Sequence, residues 1–192
     1  MFLEWKRTSM QKLADARKIG RVDEDIGTMI DFLNSKDAFY TTSTCSGRIT
    51  LITLPESGRK DESLFVHKKH TFVDADAMFE TLKELVTRTD EEVWFRMEGL
   101  IMHVGCKTLE NANALLACAR VAGLKKSTIF SAQKQIIVEI NTSQKIDTLV
   151  AERGTIVVPK AYFTRLVEKA NSKLKEVKKK NEQFFSILKQ TF

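Results

Sequence analysis

Three times along this chain an amphipathic helical stripe is followed by two short extended runs, an order that an alternating parallel β-α-β sheet does not produce. The first stripe is Ile26, Met29, Ile30 and Leu33, behind Asp23, Glu24 and Asp25, which suit an N-cap and a first helical turn. Strands are predicted at about 39–45 and 48–54, with Ser46-Gly47 able to supply a tight turn between them. The second stripe, Ala75, Met78, Phe79, Leu82, Leu85 and Val86, precedes strands at about 92–98 and 100–106 around Gly99. Thr108 caps a third helix through Leu109, Ala112, Leu115, Leu116 and Ala119, ended by Gly123 and followed by strands at about 127–131 and 135–141. One or two more strands are expected over Ile146 to Val158, and a long helix after Pro159 carries the stripe Tyr162, Leu166, Ala170, Leu174, Val177, Phe184, Phe185 and Leu188. A further helix is expected over residues 3–17. The pattern specifies an α+β fold: largely antiparallel sheet from helix-strand-strand units, with a long C-terminal helix and no Rossmann core.

At 192 residues with two prolines and no low-complexity linker, the chain is expected to form one domain over residues 1–192, and the polar stretch Glu56 to Glu62 reads as a loop. No apolar run reaches membrane-spanning length and the N-terminal MFLEWKRTSM is charged, so a soluble cytoplasmic protein is expected. Cys45, Cys106 and Cys118 are odd in number and form no C-x-x-C, which favours reduced thiols over disulfides or a zinc knuckle. His67 and His70 lack an evident third ligand, and no metal is expected.

The charge is uneven. From Lys160 onward nine Lys or Arg face three Glu, which equals the whole net charge of +6. A basic helix of this kind fits a polyanionic partner, Lys175, Lys178 and Lys179 being the candidate phosphate contacts; a solvated helix face is the alternative.

Two places are candidates for chemistry. In VWFRMEG and LIMHVGC, strand alternation puts Val93, Phe95, Met97, Met102, Val104 and Cys106 on one side, so Trp94, Arg96, Glu98 and His103 are expected to share the other face, with Glu139 able to join them. Such a set suits a planar ligand with polar edges, or cross-strand ion pairing on a solvated sheet. The second place is TTSTCSGR, residues 41–48, which gathers more short hydroxyl and thiol groups than a turn requires, beside one glycine able to take positive φ and one arginine. Its exposed amides and Arg48 suit a small anion or carboxylate, against a plain hairpin turn. Within the last helix, Asn171 and Asn181 interrupt the apolar stripe and need partners. Among common fingerprints, neither G-x-G-x-x-G, nor a Walker loop, nor G-x-S-x-G occurs.

In order and spacing, GRVDEDIGTMIDFLN (20–34), FYTTSTCSGRI (39–49), MEGLIMHVGCKTLENANALL (97–116), GLKKSTI (123–129) and ANSK (170–173) resemble the tRNA wybutosine-synthesizing protein 3 family. That resemblance implies an S-adenosylmethionine-dependent methyltransferase, without a Rossmann core, acting on a ring nitrogen of the wyosine-type tricyclic base beside the anticodon of phenylalanine tRNA. The matched polar positions are Asp23, Ser43, Cys45, Ser46, Gly47, Arg48, Glu98, His103, Ser127 and Asn171, with Thr44, Gly99 and Thr128 departing from the family pattern. On this footing Ser43, Cys45, Ser46, Gly47 and Arg48 are expected to hold the cofactor, and Asp23, Glu98 or His103 to take the proton. Trp94, Arg96, Ser127, Asn171 and the three lysines are expected to meet the RNA, all around a single pocket. The alternative is a non-catalytic RNA-binding module using the basic helix.

Overall fold

The computed structural model describes residues 1–55 and 64–192, with the backbone alone for 64–67. The Glu56 to Glu62 loop and the His67 side chain lie outside the described residues. The elements run α1 (Phe2–Lys18), α2 (Glu24–Ser35), β1 (Phe39–Cys45), β2 (Arg48–Leu54), β3 (Leu64–Lys69), α3 (Ala75–Val86), β4 (Glu92–Glu98), β5 (Ile101–Cys106), α4 (Leu109–Val121), β6 (Thr128–Ser131), β7 (Ile136–Asn141), β8 (Lys145–Glu152), β9 (Thr155–Ile156) and α5 (Lys160–Thr191). Every strand pairing among the described residues is antiparallel. The fold is thus α+β, with a long C-terminal helix. No helix among the described residues is long and apolar enough to cross a membrane.

The chain, expected as one domain, divides into two compact units: Met1–Ser46, Gly99–Ser143 and Val177–Phe192 form the first, Gly47–Glu98 and Gln144–Glu176 the second. The first unit holds a sheet of order β1-β5-β7-β6, the second a sheet of order β3-β2-β4-β8-β9. This overturns the expected tight turn at Ser46-Gly47, because β1 and β2 belong to different sheets, as do β4 and β5. A two-residue hairpin turn of type I′ needs positive φ at both central residues; Gly47 has φ 108°, whereas Ser46 and Gly99 are not in the positive-φ region. Three consecutive strand pairs, β1/β2, β4/β5 and β7/β8, are thus divided between the two sheets. The β6–β7 pair is a true hairpin within one sheet.

In the first unit Ile26, Ile30 and Leu33 of α2 and Ala112, Leu115 and Ala119 of α4 are wholly buried, as are Phe39, Met102, Val104, Val138 and Ile140 of the sheet. Their 3.6- and 2-residue periods supply the matching apolar faces. Thr108 caps α4, its hydroxyl accepting from the Asn111 N–H at 3.2 Å. In the second unit the Phe163 ring of α5 sits 5.7 Å from Phe95 and 5.4 Å from Phe79, joining helix, sheet and α3. Asn171 pins α5 to a loop: its Oδ1 accepts from the Val73 N–H at 3.0 Å and its Nδ2 donates to the Val73 carbonyl at 2.8 Å.

Candidate active site

In the first unit two backbone irregularities face each other across the sheet. In β1, Thr41 pairs with Val104 but Thr44 with Met102, so one extra residue is accommodated at Thr42-Ser43. In β6, Ile129 pairs with Val138 but Ser131 with Ile137, leaving Phe130 as the extra residue. β1 and β6 are the two edges of this sheet, and a bulge in an edge strand bends the strand and re-aims its side chains. The hydroxyl-rich run of β1 is thus partly explained: Thr41 is buried, Thr42 and Ser43 are turned out by the bulge, and Thr44 and Cys45 return to the ladder half-buried. Asn34, at the end of α2, anchors the start of the bulge. Its Nδ2 donates to Thr41 Oγ1 at 2.8 Å and its Oδ1 accepts from the Thr41 N–H at 2.9 Å.

Between these edges, His103 of β5 lies directly opposite Glu139 of β7. His103 Nε2 is 3.0 Å from Glu139 Oε2, and Glu139 Oε1 accepts from Asn141 Nδ2 at 3.0 Å. An ionised carboxylate can only accept, which assigns the proton to Nε2 and leaves Nδ1 of a neutral ring with its lone pair. A cleft of about 390 Å³ is lined by Thr42, His103, Phe130, Ser131, Lys134, Gln135 and Ile137, reaching all four strands of the sheet. The Ser127 hydroxyl accepts from the Asn141 N–H at 3.1 Å.

At the end of β1, Asp23 stands at the N-cap of α2 without capping it through its side chain. Asp23 Oδ2 instead accepts from the Ser46 N–H at 2.8 Å, and Asn181 Nδ2 donates to the Ser46 carbonyl at 3.0 Å. Among the described residues three buried side-chain atoms lack a hydrogen-bond partner: Ser46 Oγ, Asn181 Oδ1 and Thr142 Oγ1. Buried polar atoms are nearly always satisfied, so the two at Ser46 and Asn181, which are joined through the Ser46 carbonyl, mark this strand end. Cys106 is buried, and burial pushes its thiol up to about 12, which makes it an inert core thiol.

In the second unit Arg48 and Glu98 are directly opposite in the β2–β4 ladder, Arg48 Nε donating to Glu98 Oε2 at 2.6 Å. His70 Nδ1 lies 3.0 Å from the Gly47 carbonyl. Farther along the same face Arg96 Nε donates to Asp147 Oδ1 at 2.7 Å, Lys145 Nζ is 3.0 Å from Asp147 Oδ2, and Trp94 Nε1 donates to Glu92 Oε2 at 2.8 Å. Arg96 and Trp94 thus sit among cross-strand ion pairs and a local hydrogen bond.

The expectation that Trp94, Arg96, Glu98 and His103 share one sheet face is overturned, since the first three belong to β4 and the second unit's sheet, His103 to β5 and the first unit's. The alternation along each strand is as expected but sheet membership is not, because parity holds along one strand and says nothing about which sheet it joins. Of the three basic-helix lysines, Lys178 is paired with Asp25 of α2, while Lys175 and Lys179 are exposed. Sequence reasoning missed Asn34, Phe130 and Lys134. The available sign for Phe130 was a large aromatic in a four-residue strand bordered by lysines.

The methyltransferase TYW3 family model matches residues 4–190. A Pyrococcus horikoshii protein named tRNA(Phe) 7-((3-amino-3-carboxypropyl)-4-demethylwyosine(37)-N(4))-methyltransferase 1 is 36% identical over 176 residues, covering 91% of this chain and 88% of that one. A Methanocaldococcus jannaschii protein, named as the corresponding N(4)-methyltransferase, is 36% identical over 179 residues, covering 92% and 91%. A solved Pyrococcus horikoshii structure superposes with a TM-score of 0.89 at 34% identity, covering 97% of this chain and 95% of that one. With the family model matching residues 4–190 and relatives of this identity over nine-tenths of its length, the chain belongs to the methyltransferase TYW3 family.

Proposed function

We propose that this protein transfers a methyl group from S-adenosyl-L-methionine to a ring nitrogen of the wyosine-type base beside the anticodon of phenylalanine tRNA. The observation that carries this reading is the near full-length likeness to relatives bearing that methyltransferase name. In the transfer the sulfonium–carbon bond breaks as the nitrogen–carbon bond forms in line with it. A neutral thioether leaves, and the proton of the ring nitrogen passes to a base. The main tasks of the protein are alignment and exclusion of water.

The donor contacts are proposed at Ser43, Cys45, Ser46, Gly47 and Arg48. Ser46 Oγ, buried without a partner, fits a polar group of a bound ligand beside this run. A guanidinium matches the carboxylate of the donor's amino acid end. As proton acceptor, His103 has the strongest support: it lines a cleft and is oriented by Glu139 through Nε2, which leaves Nδ1 to receive a proton. The carboxylates of Asp23 and Glu98 already accept from Ser46 N–H and Arg48 Nε, which suits them to holding the donor run in shape.

The test is incubation of tRNA lacking this methyl group with isotopically labelled donor, read by nucleoside mass spectrometry. One methyl group gained at the tricyclic base is expected, and no mass gain refutes the activity. Calorimetry with the donor alone separates this reading from an RNA-binding module: Arg48→Ala is expected to weaken measurable heat, whereas a module without a donor site gives none. His103→Gln is expected to lower kcat by about 10²-fold or more with tRNA KM little changed.

A further inference from the structure

The β6–β7 ribbon carries features that the methyl-transfer reading leaves unused. Phe130 is 65% exposed on an edge strand, where an aromatic of this size is a liability unless something covers it. It is the extra residue of a bulge and borders the cleft, its ring 5.2 Å from that of His103 and tilted by 53°. From Gly123 to Val138 the chain has three lysines, 125, 126 and 134, and no acid. Lys134 lines the cleft, and so does Gln135, whose Oε1 accepts from the Tyr40 hydroxyl at 3.0 Å, which directs its amide nitrogen elsewhere.

An exposed aromatic, a cation beside it and side chains able to meet a heterocycle's polar edge are what an unpaired nucleotide requires: a face to stack on, a charge for its phosphate and hydrogen bonds in the base plane. We propose that this cleft is a nucleobase-stacking subsite, in which an unstacked base of the substrate RNA lies against Phe130 with its phosphate at Lys134. The subsite rests on the reading that the substrate is RNA, and it adds Phe130 and Lys134 as positioning residues. The occupant is a loop base, either the acceptor or a neighbour, recognised by the same chemistry.

Binding of full-length substrate tRNA is measured for the whole chain and for Phe130→Ala, Phe130→Tyr and Lys134→Gln. Phe130→Ala is expected to weaken binding about tenfold, within the range of base-stacking losses, while Phe130→Tyr restores it and the thermal midpoint stays unchanged. Lys134→Gln is expected to reduce the slope of log affinity against log salt by about one. Abasic substitutions placed singly through the anticodon loop then identify the occupant. The abasic position whose loss is non-additive with Phe130→Ala is the stacked base, at the methylated position or beside it. Binding by Phe130→Ala within about twofold of the parent, failure of Phe130→Tyr to restore it, or additivity at every loop position overturns the subsite. If the parent binds tRNA but transfers no methyl group, the activity falls while the subsite is still measured. If methyl transfer proceeds and Phe130→Ala binds normally, only the subsite falls, and a parent that binds no tRNA removes both.

Discussion

Replacing Gly105 with alanine would set a Cβ 2.1 Å from Tyr40 Cζ, 2.4 Å from Cε1 and 2.5 Å from Cε2, where non-bonded carbons need about 3.5–4.0 Å. Gly105 and Tyr40 are directly paired in the β5–β1 ladder, so backbone pairing holds them in place. The ring has little room to retreat. It is 1% exposed, the Phe2 ring lies 5.3 Å away, and the hydroxyl donates to Gln135 Oε1 at 3.0 Å. Overpacking of a tight core costs about 1–3 kcal/mol and loss of the hydroxyl bond about 1 kcal/mol, so Gly105→Ala should destabilise the protein by about 3 kcal/mol. For a chain of this size that corresponds to a fall in Tm of roughly 6–12 °C. Thermal and urea unfolding followed by circular dichroism would measure it. In a Tyr40→Leu background, which removes the ring, Gly105→Ala should cost less than about 1 kcal/mol, giving a coupling of about 2 kcal/mol. A cost below about 1 kcal/mol in the parent, or an equal cost in both backgrounds, refutes the clash. Because Gln135 lines the cleft, the same variant should also weaken tRNA binding.

Asn34→Ala leaves the buried Thr41 N–H without its acceptor and should cost about 1–3 kcal/mol in urea unfolding; a loss below about 0.5 kcal/mol would show that the bulge does not depend on Asn34. Asn171→Ala removes both bonds to Val73 and should lower stability by about 2 kcal/mol, with faster amide exchange at Val73 as the local readout. With its thiol raised to about 12 by burial, Cys106 should react with an aromatic disulfide reagent at pH 8 only as fast as the protein opens, and immediate labelling would contradict its burial. The exposed pair Asp76–Lys160 lowers the Asp76 carboxyl and raises the Lys160 ammonium. Its contribution is therefore present between their unfolded values, fading as pH falls through the lowered Asp76 value or rises through the raised Lys160 value. Lys160→Met should return the Asp76 carboxyl, followed by NMR titration, towards the ordinary carboxylate range.

Charge runs were legible as composition but not as contacts. Lys175, Lys178 and Lys179 look alike in sequence, yet Lys178 is held by Asp25 while the other two are exposed, because partner choice depends on which helix lies alongside. Asp23 shows the same limit. Its position before α2 reads as a cap, but the carboxylate is taken by the Ser46 N–H, a partner 23 residues away that no local rule supplies. His103 and Glu139 were legible as candidates because each alternates with buried neighbours along its own strand. Their pairing at 3.0 Å required the register of β5 against β7.

The amino-acid sequence by itself determined the type and order of the helices and of the strands other than β3, most of their buried faces, though Tyr162 is exposed and Phe163 buried in its place, and the family. Each follows from short-range periodicity, or from residues recognisable in linear order. Only the tertiary structure decided that β1 and β2, and likewise β4 and β5, part into two sheets, and that bulges at Thr42-Ser43 and Phe130 open a cleft at His103. Strand partnership and bulge position are set by contacts between segments tens of residues apart, and each apolar face is satisfied equally well by any partner of matching period until the whole sheet forms.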